Sequence, residues 1–360
     1  SVKHNYRRET MSIQTYFLGG VSPSGFRSKF INQIKKPGFY TYILKGGPGT
    51  GKSTLMKKAA EALSHDRLSI FYCSSDTSSL DAVIDEDKKI IIVDGTAPHV
   101  FEAIYPGASQ EVINLGEYWN GDKLKASGDA IRYCSDENSR YHKRTRCCIE
   151  ASSAVNSDIY SIAEESLNRK KLDSYTERLL KKLIPKSKEK KNGKIEFRQL
   201  SAFTADHYMT MPVAGDYSVY FVKDDLFAGS DVFLKKLTDS FTSSGYDVIV
   251  SEFNILPIPS FEHIIVPELG LVFLSGNFFN KLEPGTAGII NFSRFYEKEK
   301  LSEKKQRISF DKKASLELSA EAALSLRTAL RIHDELEKFY IDAIDFKKLN
   351  SMTDRFIKSL

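Results

Sequence analysis

The feature that most constrains the fold is a repeat. The segment "ILKGGPGTGKSTLMKK" (Ile43 to Lys58) has a degraded counterpart in "FVKDDLFAGSDVFLKK" (Phe221 to Lys236), 178 positions further on. At that offset Lys45, Gly51, Lys57 and Lys58 fall on Lys223, Gly229, Lys235 and Lys236, with Leu55 on Phe233 and Met56 on Leu234. "IIIVDG" (Ile90 to Gly95) then matches "LVFLSG" (Leu271 to Gly276) at an offset of 181. "YPGASQEVINLGEYW" lies against "LEPGTAGIINFSRFY", with Pro106 on Pro284 and, at an offset of 177, Ile113 and Asn114 on Ile290 and Asn291. Offsets that drift this little over about eighty positions are what two copies of one fold produce when loops change length and cores do not.

Each copy reads as strand, loop, helix, strand, loop, strand, a shorter strand and a long helical tail. Apolar strands alternating with a helix predict a parallel sheet covered on both faces. The expected fold class is therefore α/β: two tandem P-loop NTPase-type parallel-sheet domains, each with a long helical C-terminal extension, the second a degenerate copy. The expected boundaries are 11–184 for the first domain, 185–194 for a linker and 195–360 for the second. The linker, "PKSKEKKNGK", is Lys-rich, contains Pro and Gly and has no apolar residue, as a solvated connection or hairpin tip would. The tail over about 121–184, with apolar positions three and four apart, predicts a helical hairpin, and "SLELSAEAALSLRTALRIHDELEKFYIDAIDF" repeats the pattern near the end. A length of 360 residues, 41% of them hydrophobic, is enough for two cores of about 150 residues each.

Partner classes narrow on composition. A net charge of +5 is small for this length, so nucleic acid is disfavoured, with only the Lys-rich linker speaking for it. No run approaches the roughly 18 apolar residues of a membrane span, and the first twenty residues lack a signal-peptide core. No membrane is expected, and Met11 reads as a candidate natural start. Four cysteines without metal-ligand spacing read as reduced thiols, so a soluble, cytoplasmic protein is expected.

The chemistry lies in the first copy. Gly46, Gly51, Lys52 and Ser53 fit G-x-x-x-x-G-K-[ST], placed after an apolar strand and before a helix. Glycines let backbone N–H groups turn toward a phosphate, and the helix N-terminus adds partial positive charge. The nucleotide-binding residues are thus expected to be Gly46, Gly47, Pro48, Gly49, Thr50, Gly51, Lys52, Ser53 and Thr54. Lys52 would reach the β- and γ-phosphates, Ser53 would ligate Mg²⁺, and Thr54 would touch the α-phosphate. Asp94, closing "IIIVD", is the expected second Mg²⁺ carboxylate. The residue after it is Gly95, where many ring-forming ATPases carry a water-activating glutamate. Asp76 and, behind it, His99 are the candidates for orienting an attacking water, against the plainer readings of a turn-capping Asp and a loop His. "RYHKRTR" (Arg140 to Arg146) is either a source of a lid arginine or a solvated helix face. His333 and Glu337, one helical turn apart, are weighed as metal ligands and set aside for a polar face with an internal ion pair.

In the second copy Gly46, Gly47 and Gly49 are replaced by Asp224, Asp225 and Phe227, Lys52 by Ser230, Ser53 by Asp231 and Asp94 by Ser275. Every change opposes phosphate binding. The acidic loop (Asp224, Asp225, Asp231) is, as an alternative, an acceptor for a cationic group or a basic loop of the first copy. One half would bind nucleotide while the other keeps the fold as a docking or regulatory platform.

The combination "LKGGPGTGKSTLMKK", "CSSDTSSLDAV", "IVDGTAPHV", "YPGASQEVINLGEYW" and "HDELEKFYIDAIDF" resembles an uncharacterised family of bacterial proteins with two tandem P-loop domains, described as ATPases or nucleotide-kinase-like. The resemblance covers nearly the whole chain and implies ATP binding at Gly46 to Thr54 and Asp94. Some such proteins keep a second Gly-rich loop, from which this sequence departs. The expected function is a Mg²⁺-dependent ATP-binding protein with one competent site and slow hydrolysis. The alternatives are a kinase acting on a small molecule or nucleotide, and a nucleotide-gated module that binds a protein or small-molecule partner with negligible turnover. The sequence leaves oligomeric state open.

Overall fold

The computed structural model describes residues 13–64, 67–97, 100–185, 192–280, 282 and 286–360. In the first half the chain forms β1 (Gln14–Phe17), β2 (Gly20–Ser22), β3 (Gly25–Arg27), α1 (Ile31–Ile34), β4 (Tyr40–Lys45), α2 (Lys52–Ala62), β5 (Leu68–Tyr72), β6 (Leu80–Asp85), β7 (Ile90–Asp94), β8 (Gln110–Asn114), α3 (Gly121–Ala126), α4 (Gly128–Ser166) and α5 (Arg169–Leu183). The second half adds β9 (Ile195–Phe197), β10 (Ser201–Phe203), β11 (Tyr208–Thr210), β12 (Ser218–Lys223), α6 (Ala228–Ser243), β13 (Val248–Glu252), β14 (Phe261–Val266), β15 (Leu271–Gly276), β16 (Gly288–Asn291), α7 (Lys298–Glu303), α8 (Lys305–Ala343) and α9 (Phe346–Ser359).

Two six-stranded sheets carry the duplication into three dimensions. Their strand orders are β1-β5-β6-β7-β4-β8 and β9-β13-β14-β15-β12-β16, the same topology position by position. Registers agree as well: Leu44 lies beside Asp94 and Lys45 beside Asn114 in one sheet, Val222 beside Ser275 and Lys223 beside Asn291 in the other. Even an irregularity recurs, between Phe71 and Tyr72 on β5 and between Ser251 and Glu252 on β13.

The expectation of a wholly parallel sheet is corrected. β6 and β14 run antiparallel to both neighbours, while all other pairings within the two sheets are parallel. A parallel connection needs a crossover of about a dozen residues or more, and the segments 73–79 and 86–89 that flank β6 are too short for one. β6, "LDAVID", was also absent from the expected elements, because Asp81 and Asp85 interrupt its apolar pattern although the whole strand is buried. Asp85 is used locally: its carboxylate accepts the N–H groups of Asp87 and Lys88 and turns the chain into β7.

The faces of the sheets are covered differently from the expectation that helices would cover both. Alternate residues of β4, β6 and β7 (Ile43, Ala82, Ile84, Ile91, Val93) share one core with Ile265 and Val272 of the second sheet and with Leu200, Ala202 and Met211 from the β10–β11 region. The inner faces thus bury each other. On its outer face the first sheet packs Leu44, Val83 and Ile92 against Leu55, Met56 and Ala59 of α2 and against Ile344 and Leu349. The second sheet packs Phe273, Ile264 and Val250 against Phe233, Leu234 and Phe241 of α6 and against Ile159, Leu172 and Leu180 of the first half's tail.

That last pairing joins segments from both sides of residue 184, and α4 pairs with α8 instead of folding back in the expected helical hairpin. α4 and α8 are 39 residues each, about 58 Å long, and pack on each other. Contacts move down α8 as they move up α4, from Asn138 with Ala329 through Arg144 with Glu321 and Ser152 with Ser315 to Asp158 with Arg307, so the pair is antiparallel. Each helix leaves its own half and ends on the other. Backbone bonds fasten the ends: Asn120 N–H to Ala343 and Asp345 N–H to Tyr118 at one end, Asn168 N–H to Phe295 and Glu297 N–H to Ser166 at the other. α5 and α9 then start from matching side-chain caps, Asn168 accepting Lys171 N–H and Asp345 accepting Lys348 N–H. The helical tails are exchanged between the halves.

Leu349→Ala, in α9 against α2, removes a buried side chain and is expected to destabilise the protein by about 2–5 kcal/mol. Hydrogen exchange should then rise in α2 of the first half, although the substitution lies in the second half of the sequence; a rise confined to the second sheet would contradict the exchange.

Candidate functional site

The Gly-rich loop runs from the end of β4 to the start of α2, which Gly51 opens from a left-handed conformation (φ 82°). Lys52, at the first position of α2, folds back over the loop: Nζ donates to the carbonyls of Gly46 (2.9 Å) and Gly47 (2.8 Å) and lies 3.7 Å from Asp94 Oδ2. Thr50 Oγ1 also donates to Gly47 O. Asp94 reaches this point because β7 neighbours β4, and its other oxygen, Oδ1, accepts from Thr96 N–H and the Thr96 hydroxyl. Ser53 Oγ accepts the Leu80 N–H at 3.0 Å. The loop, Lys52, Ser53 and Asp94 are therefore brought together as their spacing led one to expect. Gly95 has its own reason: a Cβ there would stand 2.4 Å from Ile43 Cγ2, which leaves no room for a glutamate.

Asp76 sits in the loop after β5, where Oδ1 accepts from the N–H and hydroxyl of Ser78. It caps its own turn, the plainer of the two readings. Burial raises its pKa, but hydrogen bonds from Ser79 and Ser78 and the neighbouring His333 bring it below the ordinary value. His99 lies outside the described residues. "RYHKRTR" is the middle of α4, with Arg140 paired to Glu137 and Arg144 to Glu321. It is part of the long helix pair and not a separate lid.

What sequence reasoning missed is the group that stands over the loop. The end of α8 approaches it, so that a Cβ on Gly47 would be 2.8 Å from the Tyr340 ring. Glu337 Oε1 accepts the N–H of Gly49 at 3.0 Å, and His333 Nε2 lies 3.4 Å from the same oxygen. The hydrogen bond from His333 holds the Glu337 carboxyl below its usual range, against burial and helped by the Gly49 N–H. The ion pair weighed from the sequence is present, but its role is set by what it faces. The signal was "HDELEKFYIDAIDF"; only the tail exchange, invisible in local spacing, carries it to the first half's loop.

The degraded loop shows the complementary arrangement. Asp224 is buried and turns its carboxylate into the cradle, accepting from Leu226 N–H (3.1 Å), Ser230 N–H (2.8 Å) and the Tyr296 hydroxyl. Burial raises its pKa. Phe227 fills the loop among Phe253, Phe278 and Phe279 at φ 66°. These acidic side chains have partners other than a cation or basic loop of the first copy: Asp231 accepts from the Tyr160 hydroxyl of α4 (2.9 Å) and from Lys235 of its own helix, and Asp225 pairs with Lys312. Tyr160 and Glu337 occupy the same position within their two 39-residue helices.

A second cluster imitates catalytic chemistry without providing it. His263 Nε2 is 2.7 Å from Ser201 Oγ, and Glu262 is adjacent. His263 Nδ1, however, accepts the Ser275 N–H. The proton is thus on Nε2 and is donated to Ser201, leaving no lone pair to activate the serine. Burial pushes His263 down to about 3 and Glu262 up to about 8. A carboxyl raised from 4.5 to about 8 contributes stability that is full below about 4.5 and lost as pH rises toward 8. Glu262→Gln is expected to gain melting temperature over wild type progressively between pH 5 and pH 8; a difference that does not change with pH would refute the buried, protonated state.

Among the described residues no group of three or more His, Cys, Asp and Glu is placed to hold a metal, and no helix is long and apolar enough to cross a membrane. No family model, curated protein or solved structure matches the chain.

Proposed function

We propose that the first half binds the phosphates of ATP with Mg²⁺ at the loop from Gly46 to Thr54, that it hydrolyses ATP slowly, and that the fold is a tandem P-loop NTPase with one competent site. The observation that carries this reading is that the loop already serves an anion: Gly49 N–H donates to a carboxylate oxygen, with Lys52 close by. A phosphate oxygen asks for the same donors. Lys52 would leave its loop carbonyls for the β- and γ-phosphates. The donor set suits Mg²⁺, since Ser53 Oγ retains a lone pair beside the Leu80 N–H and Asp94 comes from the neighbouring strand end; when bound, the ion would neutralise phosphate charge.

Slow turnover follows from what surrounds the loop. Gly95 excludes a glutamate next to Asp94, and Asp76 is engaged in its own turn, so neither of these two positions offers a carboxylate to orient water. The second half binds no nucleotide in this reading, because Asp224 takes the amides that a phosphate would need.

Lys52→Ala removes a charge-assisted contact worth about 1.5–3 kcal/mol and should weaken Mg-ATP binding at least about tenfold while abolishing phosphate release. Calorimetry on wild type should give one nucleotide per chain. Equal binding by Lys52→Ala, or none by wild type, would refute the site; two nucleotides per chain would refute the inert second loop.

A further inference from the structure

We infer that Glu337 is a built-in competitor for the phosphate at the Gly-rich loop, so that a residue of the second half sets the affinity of the first half's site; this rests on the nucleotide reading above. Glu337 Oε1 takes the N–H of Gly49 from outside the loop, 288 positions away in sequence. A carboxylate and a phosphate cannot share one N–H donor, and their like charges repel at this distance. Binding therefore requires Glu337 to leave.

Three observations give the contact direction. His333, one turn earlier on α8, lies 3.4 Å from Glu337 and is positioned to hold the carboxylate once it lets go of the loop. Asp76 and Asp334 add further negative charge around the same pair, which raises the advantage of displacing one carboxylate before a polyphosphate enters. The second half then shows the same device made permanent. There the loop's own Asp224 holds the amides, and Tyr160, at the position of Glu337 in the matching helix, is neutral and bonds to Asp231. One loop is occupied by a carboxylate within itself and cannot be vacated; the other is occupied by a carboxylate on a separate helix and can.

The test measures affinity for Mg-ATP and for inorganic tripolyphosphate in wild type, Glu337→Gln, Glu337→Ala and Lys52→Ala, with melting curves to establish folding. Gln keeps the shape and removes the charge, so it guards against a packing defect in Ala. Both Glu337 variants are expected to bind both ligands about tenfold or more tighter than wild type, following loss of a charge-assisted hydrogen bond. Unchanged or weaker binding by folded Glu337 variants, with Lys52→Ala still defective, overturns the competition and leaves the nucleotide site standing. A gain for ATP alone, without tripolyphosphate, also overturns it, because the contest would not be at the phosphate. Absence of binding in every protein removes the nucleotide reading and this inference together.

Discussion

The antiparallel pairing of α4 with α8 is the contact on which the rest of the structure depends. It is made close by small side chains, including Ser152, Ser315, Ser319, Ala322 and Ala329, all buried. Its register is fixed by a buried set of hydrogen bonds in which Ser152 meets Ser315 at 2.7 Å and Ser315 donates to Asn156 at 2.8 Å. Such a network is satisfied in one alignment only, and sliding by a turn would leave buried polar groups unpaired. With that alignment set, the far end of each helix is delivered to the loop of the opposite half. The outer cores then close over exchanged helices, and neither sheet is complete without the other half's tail.

Much of the fold was legible because duplication leaves a trace that local structure cannot erase. The strand ends carrying Asp94 and Asn114, and their partners Ser275 and Asn291, could be aligned by eye, and the registers follow that alignment. β6 was not legible, since two aspartates break the apolar pattern that periodicity relies on, and its antiparallel direction follows from the short connections 73–79 and 86–89 and not from any residue pattern. The tail exchange was illegible for a deeper reason. An amphipathic helix announces that it has a buried face, but nothing in its spacing says which sheet will bury it.

The candidate site divides along the same line. Gly46, Gly49, Lys52, Ser53 and Asp94 are close in sequence or at neighbouring strand ends, so the pattern alone gathers them. Glu337 and Tyr340 come from a helix that begins on the other half, and their relation to the loop exists only through α4 and α8. The asymmetry between the halves is similar in origin. Gly46 to Asp224 is a single change, yet it supplies the degraded loop with a carboxylate of its own, and the long helix on that side places the neutral Tyr160 at the position of Glu337.

The central claim is that the Gly-rich loop and the end of α8 respond to ligand as one unit. Hydrogen exchange followed by mass spectrometry, with and without Mg-ATP, tests it most directly. The account predicts increased protection over 46–54 together with a change over 333–341, as Glu337 leaves the Gly49 N–H. Protection at 46–54 with no change at all over 333–341 would contradict it.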